Sequence, residues 1–189
     1  MLPESALALD PESAESNLVL SLINHPIAIL GFASDSGPAM EAAYALGRRA
    51  IQLDDRNEYA HWALGIGCWG LHRLDEGIAA LERAVELNPN CSLAYGSLGT
   101  AREIAGRPEE SIANQEIAIR MNPRNPSIFF CFSGLALAHH TTGDFDAAIL
   151  WAERWPAHPV RRREQNPVSS DGRHRKPNDR GAPFTNLRR

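Results

Sequence analysis

The sequence predicts an all-α fold, a right-handed superhelix built from stacked helix–turn–helix hairpins. Three observations carry this expectation. A short closing pattern recurs as ALALDP at 6–11, AIQLDD at 50–55, AVELNP at 84–89 and AIRMNP at 118–123. Aligned on Pro11, Asp55, Pro89 and Pro123, the copies lie 44, 34 and 34 residues apart, and a fixed period in this range marks a helical solenoid. Between copies, apolar residues recur every three or four positions, the spacing of an amphipathic helix.

The clearest unit is 58–91, EYAHWALGIGCWGLHRLDEGIAALERAVELNPNC. Its first helix is marked by Trp62, Ala63, Leu64, Gly65, Cys68 and Trp69, and its second by Ile78, Leu81, Ala84, Val85 and Leu87. His72-Arg73-Leu74-Asp75 makes a polar turn between them, with Asp75 placed to cap the second helix. Unit 92–125 repeats the scheme with Tyr95, Leu98, Gly99, Gly106, Ile112, Ala118 and Pro123. Its Pro108 falls in the first turn of a helix, where a missing N–H does no harm.

These two units resemble tetratricopeptide repeats. Tyr95-x2-Leu98-Gly99, Ala118 and Pro123 match that family's motif, as do Leu64-Gly65, Ala84 and Pro89. His61 holds the usual aromatic place with Trp62 one residue later, and Gly77 replaces the usual Ala at a cost of about 1 kcal/mol.

The flanking units are weaker. Residues 24–57 form a degenerate repeat with Ile27, Leu30, Gly31, Ala43, Ala50, Ile51 and Leu53, a turn at SDSGP and no aromatic anchor. Residues 126–154 form a truncated one through Phe132, Leu135, Ala136, Gly143, Phe145, Ala148 and Ile149. Pro156 then ends it, because proline inside a helix costs about 3 kcal/mol or more. Residues 1–23 read as the remnant of an earlier repeat plus a connecting helix.

The net charge of −4 conceals two unlike parts. Residues 155–189 hold nine basic and three acidic residues, while 1–154 sum to −10. Five prolines in the last 35 residues and the loss of apolar periodicity predict a disordered, basic Pro/Arg-rich tail. Three origins fit it: a segment binding nucleic acid or another anionic surface, a stretch without a selected role, or the product of a shifted reading frame.

Composition excludes several function classes. Cys68, Cys91 and Cys131 are odd in number, widely spaced and without a CxxC pair, which argues against zinc or a disulfide framework and for reduced thiols in the cytoplasm. Residues 18–33 are too short for a membrane span and contain Asn24, His25 and Pro26. His139-His140 are adjacent, so on a helix they point about 100° apart and suit one metal poorly. No HExxH, GxSxG or phosphate-loop pattern occurs, and Gly65-x-Gly67 and Gly96-x-x-Gly99 follow no strand. The expectation is a chain without catalysis, cofactor or metal.

A repeat array can instead present a surface, since the first helix of each hairpin lines a groove. Helical spacing places Tyr59, Trp62, Ile66 and Trp69 there in one unit, then Leu93, Gly96, Thr100 and Glu103, then Phe130, Ser133, Leu137 and His140. Two placements are open for Trp62 and Trp69, in the groove or packed between neighbouring hairpins. Repeat domains that clamp chaperone carboxylate tails use Lys, Arg and Asn on this face, and those residues are missing from these positions. The expected partner is therefore a protein or peptide with an apolar segment.

More narrowly, residues 88–130 and 134–154 carry a resemblance, extending over roughly residues 1–154, to the C-terminal repeat region of bacterial, especially alphaproteobacterial, adenylate/guanylate cyclase-like proteins. That resemblance implies a regulatory or docking part without the catalytic domain. The alternative is a non-functional fragment of a longer cyclase-like gene product.

Overall fold

The computed structural model describes residues 12–29, 37–125 and 127–154. The expected repeat remnant at 1–11, most of the SDSGP turn and the basic tail at 155–189 lie outside the described residues. Eight α-helices are present among the described residues: α1 (Ala14–Ile29), α2 (Gly37–Leu53), α3 (Glu58–Gly67), α4 (Leu74–Leu87), α5 (Ser92–Ile104), α6 (Pro108–Met121), α7 (Ile128–Thr142) and α8 (Phe145–Arg154). They pair in chain order as α1–α2, α3–α4, α5–α6 and α7–α8, and each second helix also packs on the first helix of the next hairpin. The first helices α1, α3, α5 and α7 touch their like neighbours. This is the stacked-hairpin architecture expected from the period.

Local chemistry explains where helices start and stop. The Asn57 side chain accepts hydrogen bonds from the Tyr59 and Ala60 amides at 3.0 and 3.2 Å, satisfying two donors at the start of α3. Asp54 and Asn88, 34 residues apart, each accept an amide two residues on, at 3.1 and 3.0 Å. Those side-chain turns explain why Asp and Asn close these two repeats. Asn88 also donates to Glu58 at 3.1 Å, tying the end of α4 to the start of α3.

Between the two helices of successive hairpins, the chain turns through left-handed backbone at His72 (φ 56°), Gly106 (φ 74°) and Gly143 (φ 83°). Glycine reaches this region without steric cost, whereas His72 carries a side chain there. The expected cap at Asp75 is not made. Arg73 occupies the cap position without a side-chain hydrogen bond, and Asp75 lies in the first turn of α4, where its charge favours the positive end of the helix dipole. Pro108 opens α6 as expected.

The core is a series of small clusters along the array. Leu18, Ala50, Ala60 and Ala63 join the first hairpin to the second. Tyr44, Leu64, Cys68 and Ala80 fill the next space, and Ile78, Leu81, Leu98 and Ala101 join the second hairpin to the third. Alanine recurs because helix backbones approach closely: Ala43, Ala50, Ala60, Ala63, Ala84 and Ala94 are fully buried.

The first hairpin differs from its expected outline. Helix α1 begins at Ala14, so the boundary expected between residues 23 and 24 falls inside a helix. Two buried polar residues conceal the apolar face. Asn17 donates to the Ser13 carbonyl at 2.8 Å, and Ser21 donates across the hairpin to the Ala43 carbonyl at 2.7 Å.

Candidate protein-binding surface

The side-by-side first helices provide the surface on which the groove residues fall. On α3 the expected aromatic lining is largely absorbed by packing. Trp62 is half-buried, lies against Ala84, Cys91 and Ala94, and donates its indole N–H to Ser97 Oγ on α5 at 2.8 Å. Trp69 lies beyond the end of α3, in a short 3-10 turn (Trp69–Leu71) and not on the first helix as expected, half-buried against Ile78, Leu81 and Leu98 with its ring edge-on to His25 of α1 at 5.9 Å. Ile66 is only 5% exposed and offers almost no surface. Flanked by α1 on one side and α5 on the other, this stretch of α3 is covered by its neighbours. Tyr59, in the first turn of α3, remains exposed.

On α5 the face is half-buried and polar. Leu93 packs on Ala84 and Cys91. The Thr100 hydroxyl donates to the Gly96 carbonyl at 3.1 Å and accepts the Gln115 side-chain amide at 3.3 Å. Glu103 has one carboxylate oxygen shut off from solvent and without a hydrogen-bond donor, and burial pushes its pKa up. The adjacent Arg102 is engaged elsewhere, with Glu82 at 2.8 Å and Glu110 at 3.2 Å.

On α7 the face is open. Phe130 and Leu137 are 58% and 54% exposed, Ser133 lies between them, and exposed His140 meets Phe145 edge-on at 5.5 Å. The exposure of these groove residues therefore grows along the array, because among the described residues no further hairpin follows the α7–α8 pair. Helical periodicity gives the face of each residue but not whether a neighbour covers it. The exposed apolar residues Phe145 and Ile149 of α8 belong to the same open end and were not among the expected surface residues. The signal for Ile149 lay in its alignment with Ile78, which is 5% exposed beneath α5.

The groups available for chemistry are few. Burial raises the Cys68 thiol to about 12, reinforced by the nearby Glu76 carboxylate against an opposing Arg73 charge. Burial likewise raises Cys131 to about 11 and Cys91 above its usual value. All three stay protonated at neutral pH, which makes them poor nucleophiles. Among the described residues no group of three or more His, Cys, Asp or Glu side chains is placed to hold a metal ion. His139 instead approaches Asp144 at 3.6 Å, across the α7–α8 turn. No helix among the described residues is long and apolar enough to cross a membrane.

Residues 63–126, from within α3 to the end of the third hairpin, match the family described as tetratricopeptide repeat. Among solved structures, MamA is similar over 86% of this chain and 87% of its own, at 21% identity and a TM-score of 0.63. TTC0263, a tetratricopeptide-repeat protein of Thermus thermophilus, is 17% identical over 86% of this chain and 82% of its own, with a TM-score of 0.68. PilW, a type IV pilus biogenesis factor, is 18% identical over 82% of this chain and 66% of its own, with a TM-score of 0.66. No curated protein matches the sequence. These likenesses speak for the fold, and none of them supports the narrower resemblance to cyclase-linked repeats. Residues 63–126 thus match the tetratricopeptide-repeat model, and the helices around them continue the same stacked-hairpin fold.

Proposed function

We propose that the chain is a non-catalytic scaffold that binds a protein or peptide partner along the face formed by α3, α5 and α7. The observation that carries this reading is the run Phe130, Ser133, Leu137 and His140. It places two large apolar side chains, each more than half exposed, on the face expected for partner binding. Burying one such side chain contributes about 1.5–3 kcal/mol, so two anchors supply a useful share of a weak peptide affinity. Tyr59 extends the face at the other end, and the half-buried polar edge of α5 lies between. The occupant that suits this surface is an apolar segment, not a carboxylate tail, because the only charged groove residue described on α5 is Glu103. Trp62 and Trp69 serve this surface indirectly, by fixing α3 against its neighbours. The resemblance to cyclase-linked repeats rests on sequence alone and contributes no residue to this reading.

The reading is tested by placing a photo-crosslinking amino acid at Leu137 and, as controls, at the exposed outer positions Ala79 and Ala113. Capture of one defined partner from position 137 but from neither control is the expected result. Equal capture from all three sites would reject the face.

A further inference from the structure

We propose that the end of the array formed by α8 is a seat for an amphipathic helix of another protein, one that carries an arginine beside its apolar stripe. The site goes beyond the face of α3, α5 and α7, because its floor is α8.

The molecule contains the occupied form of such a seat. Where the second hairpin meets the third, α5 lies on α4 and sets Leu98 and Ala101 against Ile78 and Leu81. Trp69 closes one side of that seam. Arg102, the residue after Ala101, reaches back across it to Glu82 at 2.8 Å. The helix that fills the seam therefore offers Leu-x-x-Ala-Arg, with aliphatic, small and cationic side chains on one side.

The fourth hairpin repeats the second at an offset of 71 residues. The left-handed turns at His72 and Gly143 lie that far apart, as do the buried pairs Leu64 and Leu135, Gly67 and Ala138, and Gly77 and Ala148. The same offset carries Leu74 to Phe145, Ile78 to Ile149, Glu82 to Glu153 and Trp69 to His140. Phe145 and Ile149 are more than half exposed, whereas Ile78 is covered by α5. His140 meets Phe145 edge-on and supplies the wall that Trp69 makes in the filled seam. Ala152 replaces Leu81, which lowers the floor at its far end.

Charge selects the occupant. Asp146 and Glu153 are exposed beside Phe145 and Ile149, and Glu153 holds the place from which Glu82 binds Arg102. Arg154 does not offset them, since its guanidinium lies over the Trp151 ring at 4.3 Å. Two copies of α8 laid face to face would set these carboxylates against each other. The α1 end of a second copy fits no better, because exposed Val19 has exposed Glu15 one turn away. Like charges brought together oppose association, and an arginine-bearing helix meets both the apolar floor and the acidic edge.

The probe is a peptide with the sequence of residues 92–107, SLAYGSLGTAREIAGR, the natural occupant of the filled seam. A hydrocarbon link between positions 96 and 100, away from the Leu98 stripe, holds it helical, since a lone helix of this length is marginal in water. Fluorescence anisotropy with the full chain should show saturable binding. Ile149→Glu should weaken it by about tenfold or more, and Glu153→Arg several-fold. Combining Glu153→Arg with a peptide carrying Arg102→Glu should restore the lost factor, as a direct contact requires. Both replaced residues are exposed, and circular dichroism checks that helix content is kept. Absent binding overturns the proposal. So does binding indifferent to Ile149→Glu, which would put the peptide in the seam at Ile78. Self-association abolished by Ile149→Glu in sedimentation gives the seat to a second copy and also overturns it. If the peptide fails to bind while position 137 still captures a defined partner, this inference falls and the scaffold reading stands.

Discussion

The second and third hairpins are built to the same plan from opposite materials. Residues 34 apart occupy matching places, and the pairs Leu64/Leu98, Gly65/Gly99 and Ala84/Ala118 are alike. The pairs that fill the seams are not: Ile66 becomes Thr100, Cys68 becomes Arg102, Trp69 becomes Glu103, Ala80 becomes Asn114 and Leu81 becomes Gln115. Leu81 and Gln115 are both fully buried, and each lies over the matching glycine. A Cβ at Gly65 would collide with Leu81, and one at Gly99 would come within 2.8 Å of Gln115. Gln115 donates to Thr100 at 3.3 Å, but its carbonyl oxygen has no partner, nor has the hydroxyl of buried Ser111. Close backbone approach at small residues sets this fold, and the larger side chains filling the seams can turn polar without changing it. An unmet buried polar group costs about 1–3 kcal/mol, so the third hairpin holds its shape with less to spare.

The strongest way to break this comparison is to truncate both residues. Leu81→Ala should destabilise the chain by about 2–5 kcal/mol, the range for a large apolar side chain removed from a packed site. Gln115→Ala should cost clearly less, as measured by urea denaturation. Equal losses would erase the distinction.

Next in size is Gln115→Leu, which restores the residue of the second hairpin. It should stabilise by about 1–3 kcal/mol by removing an unmet acceptor, seen as a higher denaturation midpoint at unchanged slope. A lower midpoint would mean that the seam between Gly99 and Gly134 is shaped for an amide.

A smaller effect sharpens the role of local signals. Asn57→Ala removes the side-chain cap of α3 and should cost about 1 kcal/mol, while the corresponding Cys91→Ala removes no cap at the start of α5. Helix loss on heating, followed by circular dichroism, separates the two.

The effect least felt at neutral pH concerns the thiols. Cys68 titrates near 9.0 when unfolded and near 12 when folded, so between those values the unfolded chain has lost a proton that the folded chain retains. Stability therefore falls as pH rises from about 9 towards 12. Cys68→Ala should flatten that decline in a pH series of melting temperatures.

Much of the array was legible beforehand. The hairpins over 58–125 follow from a 34-residue period and from recurring closings, of which Asp54 and Asn88 make side-chain turns in the structure. The start of α1 was not, because Asn17 and Ser21 bury polar atoms on the face that periodicity expects to be apolar. The candidate surface was legible only as directions around a helix. Spacing assigns Trp62, Ile66 and Leu137 to the same side of their helices, yet the first two lie under neighbours and the third is open. That distinction arises from which helix comes next, a fact of packing that spacing alone does not contain. Gln115 could have been found earlier, since its alignment with Leu81 sets an amide where a hydrocarbon is expected.

The hairpins are joined in series, so any load passed from one end to the other must cross the amide wedged between Gly99 and Gly134. Pulled lengthwise, the molecule would part there before it parted at Leu81, and the second hairpin would stay seated on its neighbours after the fourth had come away.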